Sequence, residues 1–130
     1  MTTELEVLVW VSLLTLFMWF PYSLVRIMNF GLITVLRYTV DDKPLSSWAE
    51  RAKKAHYNSI ENLISFAILV VVANLANISN EATVSAALAY FWLRLAHYIF
   101  YILGVSFLRT FAFAGGWLAQ LCIAYQILAI

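Results

Sequence analysis

Apolar residues along this chain gather into four long runs separated by short polar breaks. The runs extend from about Leu5 to Leu36, Asn58 to Ala76, Ala82 to Leu103 and Phe107 to Ile130. Each is continuous and supplies the roughly 20 residues that an α-helix needs to cross about 30 Å of hydrocarbon. Strands of a membrane barrel are shorter and alternate apolar with polar positions, which these runs do not. The pattern predicts an all-α integral membrane protein, a four-helix transmembrane bundle forming a single domain over residues 1–130. The first run exceeds a single crossing, so it tilts or projects from the membrane. Pro21 predicts a kink in it, because its ring and missing N–H disturb the preceding turn.

Between the first two runs, TVDDKPLSS at residues 39–47 reads as the clearest loop, with Asp41 and Asp42 favouring turns and Pro44 interrupting any helix. Ser46 or Ser47 suits an N-cap, and Glu50 stands three residues after Ser47 in capping-box spacing. The second helix is therefore expected to start near Trp48, well before its membrane-buried part. Trp19 and Trp48 suit interface anchors. Gly115-Gly116 falls inside the fourth helix, where it reads as a close-packing site.

Composition agrees with this reading: of 130 residues, 64% are hydrophobic and 12% charged. A soluble domain carries roughly a quarter charged residues. A net charge of +1 gives no electrostatic basis for binding nucleic acid. Cys122 is the single cysteine, which excludes a disulfide or a cysteine zinc site within one chain and reads as a buried inert thiol. Two histidines and no acidic pair at ligand spacing argue against a dedicated metal site. The N-terminal MTTELEV carries Glu4 and Glu6 in place of a basic region, so the first run is expected to stay as a helix rather than be cleaved.

Six of the eight basic residues (Arg26, Arg37, Lys43, Arg51, Lys53 and Lys54) lie at the end of the first helix, in the first connection, or at the start of the second helix. Arg109 stands in the third connection, whereas the N-terminus and NISNEA hold acids and no base. Positive charge favours the cytoplasmic side. The expectation is that the first and third connections face the cytoplasm and both termini the opposite side.

Two polar stripes cut into the apolar segments. At about 100° per residue, Arg51, Lys54, Asn58, Glu61 and Ser65 share one face of the second helix. In the third helix Tyr90, Arg94, His97 and Tyr101 recur at helical spacing. An ionisable group in the bilayer interior costs on the order of 3 kcal/mol unless paired or hydrated, so such groups face a partner, a cavity or a ligand. Structural readings stand beside these. Lys53 can lie in headgroups, Glu61 can pair with Arg94 or Arg109, Asn58 can bridge two helices, His97 can be a satisfied interior histidine, and Tyr90 can simply pack. Arg109 and Thr110 together can bind an anion, a carboxylate or a thiolate. Ser59 near His56 is the one nucleophile–base neighbour in view.

The pattern E-R-x-x-[KR]-A-x-x-N-x-x-E, here Glu50, Arg51, Lys54, Ala55, Asn58 and Glu61, resembles the signature of the MAPEG superfamily, membrane-associated proteins in eicosanoid and glutathione metabolism. R-x-x-H-x-x-x-Y at Arg94, His97 and Tyr101 is similar to the third helix of its prostaglandin E synthase branch, and Arg109-Thr110 falls where that branch has Arg-Ser. The wording around the motif is most similar to small bacterial members. The resemblance implies a homotrimer in a bacterial inner membrane, holding glutathione as cosubstrate in a cytoplasm-facing cleft between subunits. It implies a glutathione transferase or peroxidase acting on a lipophilic electrophile, with a non-catalytic trimer binding a lipid, another small anion or a partner protein as the alternative. Arg109 would stabilise the thiolate and Thr110 donate to it. Arg26, Arg51, Lys54, Asn58, Glu61, Arg94, His97 and Tyr101 would bind glutathione, with Glu61 taking its amino group and Arg26 a carboxylate. The chain departs from the family at Lys54 (usually Arg), Asn62 (Tyr in some members), Thr110 (Ser) and Phe113 (a hydroxyl-bearing residue in the synthase branch).

Overall fold

A computed structural model describes residues 1–37 and 45–129 of the chain. The elements are α1 (Thr3–Phe17), α2 (Trp19–Phe30), α3 (Leu32–Arg37), α4 (Ser47–Leu75), α5 (Glu81–Leu103) and α6 (Ser106–Leu128). Among the described residues, four stretches are long and apolar enough to cross a membrane: Thr3–Phe30, Ser47–Leu75, Glu81–Leu103 and Ser106–Leu128. At 1.5 Å per residue, α5 and α6 are each about 35 Å long, close to one crossing, and α4 at about 44 Å extends well beyond it. The expected early start of this second crossing, ahead of its buried part, is thus observed. Asp41, Asp42, Lys43 and Pro44 of the expected loop lie outside the described residues.

The single long first run is divided into three helices. Pro21 has no N–H to offer the carbonyl of Phe17, and the break falls there, one turn upstream of the proline. At the break the Met18 N–H turns back to Thr15 O at 3.2 Å. The second interruption is at Gly31, with φ of +83° and its N–H donated to Ile27 O at 2.8 Å. A Cβ there would meet nothing within 4 Å, so the backbone conformation alone accounts for the glycine.

The expected cap of α4 takes a different form. Ser46 is the N-cap residue but its hydroxyl makes no capping bond, and Glu50 accepts the Leu45 N–H at 3.1 Å. Glu50 stands four residues from this cap, one too many for the reciprocal box, so its carboxylate reaches the residue before the cap. The complete capping box is at α5: Asn80 Oδ1 accepts Thr83 N–H at 3.0 Å, and Thr83 Oγ1 accepts Asn80 N–H at 2.9 Å.

Residues from four helices make the core. Val7 and Val11 of α1, Phe66 and Val70 of α4, Ala86, Ala87 and Tyr90 of α5, and Ala119 and Ile123 of α6 are all buried together. Phe66 and Tyr90 stack with ring centroids 3.9 Å apart. Tyr22, Ala49 and Ala52 form a smaller cluster with Val25, Leu45 and Ile102 packed against it. Large apolar side chains such as Trp10, Ile68, Trp92 and Trp117 face outward, as lipid contact requires. At the α1 end of the bundle, Glu4 accepts hydrogen bonds from Ser79 Oγ at 2.9 and 3.1 Å and from Thr83 Oγ1 at 2.5 Å. This buried carboxylate ties the start of α1 to the α4–α5 connection.

Candidate functional site

The short turn between α5 and α6 sets the geometry at the other end. Gly104 terminates α5 in the left-handed region, φ +77°, with its N–H on Tyr101 O at 3.1 Å and the Val105 N–H on Phe100 O at 2.9 Å. The reversal brings Arg109 back over Tyr101, its Cζ 4.6 Å from the ring centroid. Arg51 secures the turn from α4: its Nε donates to Ile102 O at 2.8 Å, satisfying a carbonyl at the α5 terminus.

Asn58 of α4, His97 and Tyr101 of α5, and Arg109, Thr110 and Phe113 of α6 together line a cleft of about 260 Å³. The His97 ring stands edge-on to Tyr101 at 5.5 Å and tilted to Phe113 at 6.2 Å. Behind the wall, Arg94 is 2% exposed. Its Nη2 donates to Asn58 Oδ1 at 2.7 Å and to Ser59 Oγ at 3.1 Å. Asn62 Nδ2 also reaches Asn58 Oδ1, at 3.3 Å. With its oxygen engaged twice, Asn58 has its amide N–H groups left for the cleft. The lining thus offers the Asn58 amide donors and the Arg109 guanidinium, and it contains no carboxylate. Such a surface suits an anion. Tyr90 Oη, Arg94 Nε and His97 Nδ1 are buried with no hydrogen-bond partner among the described residues.

Of the ten residues singled out in sequence, five meet at this cleft: Asn58, His97, Tyr101, Arg109 and Thr110. Arg94 props Asn58 from behind rather than lining it. Arg51 is engaged with the end of α5. Lys54 and Glu61 stand exposed on α4 and Arg26 half-buried on α2, all three outside the lining. Arg94 bonds Asn58 and Ser59, not Glu61. The Thr110 hydroxyl donates to Ser106 O at 3.0 Å. Serving a ligand would require it to rotate away from that carbonyl. Ser59 and His56 do not form a pair, since Ser59 bonds Arg94 and His56 Nδ1 lies 2.7 Å from Tyr22 Oη. The Tyr22–His56 pair was not legible in sequence, its members being 34 positions apart with no shared motif. His56 borders a second cavity of about 390 Å³, otherwise mostly apolar, with Ser12, Thr15, Leu16, Trp19, Ile60 and Leu63. It lies on the side of α4 away from Asn58.

No curated protein and no solved structure matches the chain. The model of the MAPEG family does match, over residues 7–129, which takes in all but the first few residues of the four crossings and every residue of the cleft. The chain belongs to the MAPEG family and is a multi-pass protein of the membrane.

Proposed function

We propose that the chain is a membrane-bound glutathione transferase, a homotrimer whose clefts join the glutathione thiolate to a lipophilic electrophile. The observation that carries this reading is the Arg109 guanidinium held over Tyr101 where the lining contributed by one chain has no carboxylate. An opposite charge within about 4–6 Å lowers an acid's pKa by roughly 1–3 units, enough to bring a thiol into its reactive thiolate form near neutrality. The thiolate sulfur forms a bond to the electrophilic carbon, and the electron pair departs with a leaving group or takes up a proton after addition to a double bond. With a lipid hydroperoxide, two glutathiones would supply the electrons, giving the disulfide, the alcohol and water. The Asn58 amide, His97 and Tyr101 orient the peptide. Lys54, Glu61 and Arg26 complete the cleft where subunits meet, Glu61 taking the amino group and Arg26 a carboxylate. The cleft opens to the cytoplasm of a bacterial inner membrane, where the first and third connections and their basic residues lie.

Titrating the detergent-solubilised protein with glutathione tests this directly. Wild type is expected to develop thiolate absorbance and to conjugate members of an electrophile panel, and Arg109→Ala to lose the thiolate signal by at least about tenfold. No thiolate in wild type, or an equal signal in Arg109→Ala, refutes the reading. A second reading, a non-catalytic trimer binding another small anion, draws on Phe113 and on the engaged Thr110 hydroxyl, which leave the cleft poor in free hydroxyl donors. Thermal stabilisation by such an anion but not by glutathione would establish it.

A further inference from the structure

Asn58 lines the cleft from α4 and Phe113 lines it from α6. Seven residues beyond each, two turns on and within about 20° of the same face, stand Ser65 and Gln120. These two are bonded to each other, Ser65 Oγ donating to Gln120 Oε1 at 2.5 Å. The matched offset means that α4 and α6 run parallel here, and that the pair sits about 10 Å further along both helices than the cleft. Asn62 fills the interval. Its Nδ2 donates to the backbone carbonyl of Asn58 at 2.9 Å, and its own backbone carbonyl accepts from Ser65 Oγ at 3.1 Å. A continuous polar row therefore leaves the cleft and runs along a wall whose exposed neighbours are Ile64, Ile68, Trp117 and Leu121.

Helix bridging alone does not account for this row. Gln120 is 6% exposed, and only its oxygen has a partner among the described residues. Exchanging the amide oxygen and nitrogen would only change which half is satisfied. Ser65 is exposed, and a single hydroxyl proton serves both of its acceptors, Asn62 O and Gln120 Oε1. Polar groups in hydrocarbon with unused capacity are costly unless a polar guest engages them.

We propose that Asn62, Ser65 and Gln120 form a polar subsite that recognises an oxygen function (hydroxyl, hydroperoxide or carbonyl) on the second substrate. That oxygen lies about 10–16 Å from the carbon that reacts in the cleft, the spacing along α6 from Phe113 and from Arg109 to Gln120. The subsite selects oxygenated lipid-soluble electrophiles over plain hydrocarbon-chain ones. It rests on the proposal that reaction occurs in the cleft, and it concerns the recognition of a different molecule from glutathione.

The test uses the solubilised full chain and long-chain enones in matched pairs, identical except for one hydroxyl set about 10 to 16 Å from the electrophilic carbon. Wild type is expected to bind the hydroxylated enone about threefold to tenfold more tightly, the worth of one net hydrogen bond. Gln120→Leu and Ser65→Ala are each expected to weaken only the hydroxylated probe, with glutathione affinity unchanged. Equal binding of both members of every pair by wild type, or a preference that survives both substitutions, overturns the subsite. A hydroxyl preference in a protein that fails to bind glutathione upholds the subsite while refuting the transferase reading.

Discussion

Replacing Asn58 by Leu removes the principal acceptor of a buried cation, and it is expected to cost more stability than removing the cation itself. Arg94 is 2% exposed and has two acceptors, Asn58 Oδ1 at 2.7 Å and Ser59 Oγ at 3.1 Å, while its Nε has none. A hydrogen bond to a charged group is worth roughly 1.5–3 kcal/mol, and stranding a buried charge adds to its loss. Asn58→Leu should therefore cost about 3 kcal/mol. Arg94→Met gives up the same bonds yet leaves no charge behind, and the half-buried Asn58 keeps its contact with Asn62 Nδ2 at 3.3 Å. Its cost should stay below about 2 kcal/mol. In the double variant the stranded charge is gone, so its cost should fall short of the sum of the singles by about 1–3 kcal/mol. Reversible unfolding in mixed detergent micelles, followed by circular dichroism, gives all three values. The reasoning is refuted if Arg94→Met costs at least as much as Asn58→Leu, or if the double variant costs the full sum.

The adjacent glycines of α6 should respond differently to alanine. A Cβ at Gly115 would come within 2.9 Å of Leu93 Cδ1, whereas at Gly116 the nearest atom is Arg94 Cδ at an ordinary 3.6 Å. Gly116→Ala is expected to raise the thermal midpoint by the equivalent of about 0.5–1 kcal/mol, the helix preference of alanine over glycine, and Gly115→Ala to fall short of that gain because the Leu93 side chain must shift. Glu4→Gln weakens the charged acceptor of Ser79 and Thr83, and should lower the midpoint by the equivalent of about 1–3 kcal/mol while conjugation at the far end of the bundle is retained. An unchanged midpoint would show that the Glu4 bonds contribute nothing net.

Helix content and the number of crossings were legible because continuous apolar runs of membrane length leave the backbone no alternative to helix. Interruptions were harder to read. Pro21 predicts its own kink, since the lost N–H is a local fact of the residue. Gly31 gave no such signal inside MNFGLIT, because an apolar run reads the same whether or not one residue takes positive φ. Ser46, one of the two expected caps of α4, is the N-cap, but the box spacing of Ser47 and Glu50 did not form: the two serines offer the same hydroxyl and the local sequence does not select between them. Asn80 and Thr83 satisfy the same physics with Thr in place of Glu, a form that the S/T-x-x-E spacing does not reveal.

The polar stripe on α4 shows where reading a helix face stops being enough. Angle alone groups Arg51, Lys54, Asn58, Glu61 and Ser65, but each height along α4 meets a different neighbour. At Arg51 the neighbour is the unsatisfied end of α5, at Asn58 it is Arg94 and the cleft, and at Ser65 it is Gln120. Lys54 and Glu61 have no covering element within the described chain and stand exposed. Lys54, near the outer end of the crossing, can extend its ammonium to the headgroups. Glu61 lies about two turns deeper and has a short side chain, so hydrocarbon contact would cost it on the order of 3 kcal/mol. Protein or a bound polar molecule must therefore cover that face in the membrane. The proposed homotrimer supplies the protein and glutathione the polar molecule, so Glu61→Leu separates the two contributions. If Glu61 holds the amino group, the variant should lose affinity for glutathione but not for an analogue lacking that amine, with trimer mass in detergent unchanged. Equal losses for both peptides would remove Glu61 from the cleft.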